Sequence, residues 1–135
     1  MTRTIPAALF VVLLPLVSAG CGGLKLAENP ARQEWDWVLF GGSPSRSNGT
    51  ATGLEPPLTR AWEYDALAGV TATPLVRDSI VLLATLRGEL HAVHLGSGAS
   101  LGRKVVTSPI NGTPVWYGST IIAGGGAGPD ALVAY

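Results

Sequence analysis

Thr73-Pro74-Leu75-Val76-Arg77-Asp78-Ser79-Ile80-Val81-Leu82 returns forty residues later as Thr113-Pro114-Val115-Trp116-Tyr117-Gly118-Ser119-Thr120-Ile121-Ile122. Thr-Pro and Ser recur unchanged. The apolar pairs Val70/Ile110, Leu75/Val115, Val81/Ile121 and Leu82/Ile122 keep the same step. With two extra residues allowed in the Gly-rich stretch 124–129, Leu90 and Ala92 return as Leu132 and Ala134. The chain therefore carries a self-similar unit of about 40 residues built from short strand-like runs.

Working outward, one complete unit can be read strand by strand. Residues 70–76 form a strand, Arg77-Asp78 a tight turn, and residues 79–85 an unbroken apolar strand. Leu86-Arg87-Gly88 turns again, residues 89–95 run back, Gly96-Ser97-Gly98 closes, and residues 101–106 form a fourth strand. Strands of this length joined by two- and three-residue turns make an antiparallel meander. A second unit opens at Ile110 and reaches its third strand by Tyr135. Ile80-Val81-Leu82-Leu83 does not alternate apolar and polar, so both of its faces should be covered. A buried helix would also read as apolar, but this run is too short, too β-branched and bounded by turns. The expected fold class is all-β: a partial β-propeller of four-stranded antiparallel blades, with about two and a half blades present. Two further strands are expected ahead of the complete unit, at residues 34–40 and, around Trp62, at residues 60–64.

The first twenty residues read differently. Arg3 precedes a nearly continuous apolar run over residues 5–17, then Ser18-Ala19-Gly20 and the only cysteine, Cys21. That order is a secretory signal peptide, and its apolar run is short for a membrane span. The small residues before Cys21 resemble a bacterial lipobox, with Ser18 where Leu is usual. The resemblance implies lipidation of Cys21, which becomes the new N-terminus. The expected division is a signal peptide at 1–20, a lipid-anchor tether at 21–34 and repeats at 35–135. A single cysteine forms no internal disulfide, so no disulfide framework supports the fold.

After loss of Arg3, eight Lys and Arg face nine Asp and Glu, a net charge of about −1. No basic block gives a footprint for nucleic acid. No polybasic patch draws the chain to an anionic membrane, so attachment would rest on acyl chains at Cys21, each buried methylene contributing ~0.8 kcal/mol.

Trp37-Val38-Leu39-Phe40-Gly41-Gly42-Ser43-Pro44-Ser45-Arg46 resembles the opening of PQQ-repeat (quinoprotein-like) propeller proteins, which often begin Trp-x-x-Phe-Gly-Gly-Asp-x-x-Arg. Pro57-Leu58-Thr59-Arg60-Ala61-Trp62 is similar to their first blade edge. Thr73-Pro74-Leu75-Val76 with Gly88-Glu89-Leu90-His91-Ala92 and Gly96-Ser97-Gly98 is similar to one full repeat. The likeness covers roughly residues 35–135. Ser43 stands where Asp is common, His91 and His94 where Tyr and Asp are common, and Gly102 where the next blade's Trp is expected. Together with the lipobox, the pattern resembles BamB-like lipoproteins of the outer-membrane barrel assembly machinery. It implies a non-enzymatic scaffold binding envelope proteins, lipid-anchored on the periplasmic side of the outer membrane, the inner membrane being the lesser choice. Loops 41–58 and 66–69 are its expected contact regions. The alternatives are part of a PQQ-dependent quinoprotein dehydrogenase and a ligand-sensing propeller.

Candidate chemistry is sparse. A quinoprotein dehydrogenase needs eight blades and a calcium held by Asp, Glu and Asn side chains, and no such acidic cluster is visible; no cofactor and no metal is expected. His91 and His94, three apart on a strand, point to opposite faces and cannot chelate together. Glu89 and His91 share a face, but two ligands make a weak site. Gly124-Gly125-Gly126 lacks the Gly-Lys-Ser/Thr of a phosphate loop. Asn48-Gly49-Thr50 and Asn111-Gly112-Thr113 match a glycosylation sequon but read as turn chemistry. No Gly-x-Ser-x-Gly elbow occurs. Trp35, Trp37, Trp62 and Trp116 read first as blade packing, with Trp116 the alternative marker of an exposed contact surface.

A ring needs at least four blades, so the last sheet should offer an uncovered apolar face and an open edge. Five large side chains at ~1.5–3 kcal/mol each make roughly 10 kcal/mol of unrealised burial. A truncated chain, several chains completing one ring, or a partner strand on the edge would each resolve it, in that order of preference.

Overall fold

The computed structural model describes residues 23, 24, 26, 30–49, 53–106, 109–126, 128 and 131–135. The signal segment at 1–20 and Cys21 lie outside them. The described residues contain no helix and seven strands in two antiparallel sheets: β1 (Leu75–Arg77), β2 (Ile80–Ala84), β3 (Glu89–His94) and β4 (Ser100–Val105) in the first, then β5 (Val115–Tyr117), β6 (Thr120–Gly124) and β7 (Leu132–Ala134) in the second. The protein is all-β over this region, and each sheet is a meander with strands in chain order.

The repeat survives at the level of register. Leu75 faces Leu82, Val76 faces Val81 and Arg77 faces Ile80; forty residues on, Val115 faces Ile122, Trp116 faces Ile121 and Tyr117 faces Thr120. Across the next pair, Leu82 faces Ala92 and Ala84 faces Leu90, while Ile122 faces Ala134 and Gly124 faces Leu132. The offset of 42 in the third strand is thus real, and the extra residues sit in the β6–β7 connection. That connection is closed by Gly125 N–H to Ala131 O at 3.0 Å. The β1–β2 turn is Asp78-Ser79 rather than Arg77-Asp78. Asp78 has φ 52° and its counterpart Gly118 φ 57°. Two-residue hairpins need positive φ at such positions, which Asp tolerates and Gly adopts freely.

The way the sheets stack is the main architectural finding. Cross-strand partners share a face, so Leu75, Leu82, Ala84, Leu90 and Ala92 form one face of the first sheet. All five belong to the core cluster, together with Trp116, Ile121 and Ala123 of the second. The latter three are the repeat counterparts of Val76, Val81 and Leu83, which lie on the first sheet's opposite face. The front of unit one therefore packs on the back of unit two. This is a head-to-tail contact, the heterologous kind that leaves the next front face free.

That next front face is uncovered. Leu75 and Leu90 are 0% exposed, whereas their counterparts Val115 and Leu132 are 39% and 70% exposed. On the first sheet, by contrast, Ile80, Val81 and Leu82 are all buried, so the non-alternating run is covered on both faces as its pattern requires. Its back face is met by the chain ahead of it. Trp62 donates from Nε1 to Leu95 O at 2.7 Å, and Tyr64 reaches His91. Gly98, at φ 70°, lies under the Trp62 ring so closely that a Cβ there would approach it to 2.9 Å.

Three expected strands are shorter or missing. Residues 34–40 make one bridge instead of a strand. Trp37 exchanges both backbone bonds with Val76, at 2.7 and 2.8 Å, and Val38 O accepts from Trp116 N–H at 2.8 Å. Turns closed by Asp36 N–H to Gln33 O and Gly42 N–H to Leu39 O leave only Trp37-Val38 extended. These two residues nevertheless join the inner edges of both sheets. Residues 60–64 form no strand, because no neighbouring strand pairs with their backbone; extended segments need one. The run 70–76 becomes strand only at Leu75. Pro74 has no N–H, and Thr73 N–H goes to Thr113 Oγ1 at 3.1 Å.

Candidate functional site

The period-two alternation of β3 places Glu89, His91 and Val93 on the first sheet's back face, and the register sets Arg103 of β4 opposite His91. Residues 60–66 lay Tyr64 over the same spot. Tyr64 Oη lies 2.9 Å from His91 Nδ1, and the rings meet edge-on with centroids 5.9 Å apart. His91 Nε2 is 3.5 Å from Glu89 Oε2, and Glu89 Oε1 is 3.6 Å from an Arg103 Nη. A carboxylate oxygen only accepts, so the proton between His91 and Glu89 belongs to Nε2. In the neutral ring Nδ1 is then the acceptor for the Tyr64 hydroxyl.

The chain Tyr64–His91–Glu89–Arg103 lines a cleft of about 670 Å³ that also touches Asp65 and Ser100. His91 and Glu89 are buried, and each has its partners. The Tyr64 hydroxyl and His91 Nε2–H each meet an acceptor, so the physical effect of the relay is to fasten residues 60–66 to the sheet. Glu89→Ala leaves the buried Nε2–H of His91 without an acceptor. The expected loss is about 1–3 kcal/mol of folding stability. It is read as a lower urea midpoint with an unchanged slope.

His94, by contrast, lies on the front face and bonds Ser97 Oγ at 3.1 Å, so the two histidines are separated as the strand period requires. Among the described residues no three His, Cys, Asp or Glu side chains come close enough to hold a metal ion.

A second polar cluster sits at the β1–β2 turn. Arg77 is buried, donates from Nη2 to Pro30 O at 3.2 Å and from Nη1 to Gly118 O, and rests 5.7 Å from the Trp116 ring. Its Nε has no acceptor among the described residues. The guanidinium thus ties the segment before the first sheet to the turn of the second hairpin. It lines a wider cleft, about 1040 Å³, with Asp36, Ser43 and Tyr117. Trp116 is a packing residue at 3% exposure, while Trp35 is largely exposed.

Sequence reading paired Glu89 with His91 correctly, from strand period alone. It missed Tyr64 and Arg77. Tyr64 lies 27 residues from His91 in chain, with no motif joining them. Arg77 looked like a turn residue because charge and an adjacent Asp are ordinary turn features. The register partner Arg103 was hidden by a bulge: counting across the Gly96-Ser97-Gly98 turn pairs Val93 with Ser100 and would set His91 against Gly102, but the register shifts by one between Ala92 and Val93. Loops 41–58 and 66–69 carry exposed apolar side chains: Leu54, Leu58 and Leu67. No helix among the described residues is long and apolar enough to cross a membrane. Compared with protein-family models and with curated proteins, the chain matches none.

Proposed function

We propose that this chain is an exported, lipid-anchored protein-interaction scaffold of the cell envelope, made of PQQ-like β-propeller repeats and held on the periplasmic side of the outer membrane. The observation that carries the reading is the head-to-tail stacking of two sheets in matching register, a contact that can recur from one repeat to the next. The satisfied relay at His91 fits the same reading, since it anchors chain rather than presenting a free reactive group. The pattern ending in Ser18-Ala19-Gly20-Cys21 supports export and lipidation.

Two measurements test this. In a bacterial host, the wild-type chain incorporates labelled palmitate and sediments with outer membranes. Cys21→Ser loses the label and appears in the soluble periplasmic fraction. Palmitate on the Cys21→Ser chain, or a wild-type chain that stays in the cytoplasm, contradicts the anchor. In parallel, PQQ with calcium is titrated into the purified chain; stoichiometric binding would replace the scaffold by the quinoprotein reading.

A further inference from the structure

We propose that the rim of the first sheet beside β4 rests on the lipid bilayer that holds Cys21, because the anchor segment is seated in the domain instead of trailing from it. The inference rests on the lipid-anchored reading and adds the surface that meets the membrane. Gly102 of β4 has φ 115°, and a Cβ there would run into Gly23 O and lie 3.5 Å from Leu24 Cα. Only glycine leaves room for that carbonyl. Leu24 and Leu26 pack against the core cluster. Gly102, which stands where Trp is expected in the repeat, is thus the seat of the chain that leads to the anchor.

Chain geometry carries the seat to the membrane. Cys21 stands two residues ahead of Gly23, so their Cα atoms are at most about 7 Å apart. Acyl chains on Cys21 therefore enter the bilayer close to the notch. Gly23 borders the same cleft as Leu67, Arg103 and Val105. Leu67 and Val105 are 61% and 68% exposed, and the Arg103 side chain is 53% exposed. Leu67 is held outward at φ 58°, with its N–H bonded to Asp65 Oδ1 at 2.8 Å. Two apolar side chains beside a guanidinium suit the headgroup boundary, where alkyl groups enter the acyl region and the cation meets lipid phosphate. The acyl chains supply the attachment, and the seat sets the orientation.

Acylation of Cys21 leaves no other thiol, so an introduced cysteine can be labelled alone. Leu67→Cys, Val105→Cys and Ser119→Cys each carry a bimane fluorophore on the full lipidated chain. The vesicles contain phosphatidylethanolamine, phosphatidylglycerol and a lipid with a nitroxide headgroup. Ser119 is exposed in the β5–β6 turn, at the other end of the strands from Val105. Labels at positions 67 and 105 should lose most of their fluorescence to the nitroxide, and the label at 119 should keep it. Gly102→Val evicts the Gly23 carbonyl, and the loss at 105 should fall to the level seen at 119. A long Gly-Ser linker inserted after Gly22 frees the domain without touching the fold, and should do the same.

Equal loss at all three positions overturns the proposal. So does full fluorescence at 67 and 105, or quenching at 105 that the linker leaves unchanged. Palmitate labelling of the same samples separates this failure from that of the lipid-anchored reading. Palmitate on Cys21 without quenching at 67 and 105 overturns the seated anchor alone, whereas a chain that takes up no palmitate overturns both.

Discussion

Leu90→Ala will cost about 2–5 kcal/mol of folding stability, as buried leucine truncations do, while Leu132→Ala will change it by less than about 0.5 kcal/mol, as for an exposed site. The two leucines hold equivalent places in the repeat, each in the third strand and each opposite a small residue, Ala84 or Gly124. Only their cover differs. Leu90 lies under the second sheet at 0% exposure, and Leu132 faces solvent at 70%. Against a total stability of about 5–15 kcal/mol for a typical domain, the first substitution removes a large share and the second almost none. Urea midpoints of the two variants read the difference directly. Equal costs would mean that the outer face of the second sheet is already covered, and the stacking described above would fall.

Trp116→Ala is the second large effect, with about 3–5 kcal/mol expected from the lost indole volume. Trp116 is the largest side chain that the second sheet contributes to the shared core, and its backbone N–H is bonded to Val38 O. It also lies beside the buried Arg77 guanidinium, whose described partners are carbonyl oxygens and this ring. Removing the ring withdraws a favourable surface from a cation already taken out of water, a situation that adds to the cavity cost. Trp116→Phe keeps an aromatic face and should recover more than half of the loss. A Trp116→Ala variant within about 0.5 kcal/mol of wild type would show that the two sheets do not depend on this contact.

Much of the fold was legible because the repeat constrains it twice. A forty-residue step that preserves Thr-Pro, Ser and four apolar pairs predicts two hairpins in one register, and the hairpins have it. The two-residue insertion was legible too, since Leu90 and Ala92 align with Leu132 and Ala134 only if it is allowed. The segment ahead of the complete unit was misread for a physical reason. Residues 34–40 and 60–64 have strand-like side chains, but a strand is defined by what lies beside it, and composition carries no information about a neighbour. Trp37 found one partner residue, Val76; residues 60–64 found none and were docked by Trp62 and Tyr64 instead.

The candidate site divides along the same line. The shared face of Glu89 and His91 follows from a period of two. The Tyr64 contact depends on how a segment 27 residues away lies across the sheet, which no local pattern records. The direction of stacking was also hidden. The apolar run Ile80-Val81-Leu82-Leu83 signals cover on both sides, yet it does not say that unit two covers the front and residues 60–66 meet the back.

The most direct measurement is a set of side-chain nuclear Overhauser contacts between the sheets. The account predicts that methyl protons of Leu75, Leu82 and Leu90 contact Trp116, Ile121 and Ala123, and that Val115, Ile122 and Leu132 show no contact with the first sheet. Contacts from Ile122 or Leu132 to Leu82, with Trp116 and Ile121 silent, would reverse the stacking and contradict the head-to-tail arrangement.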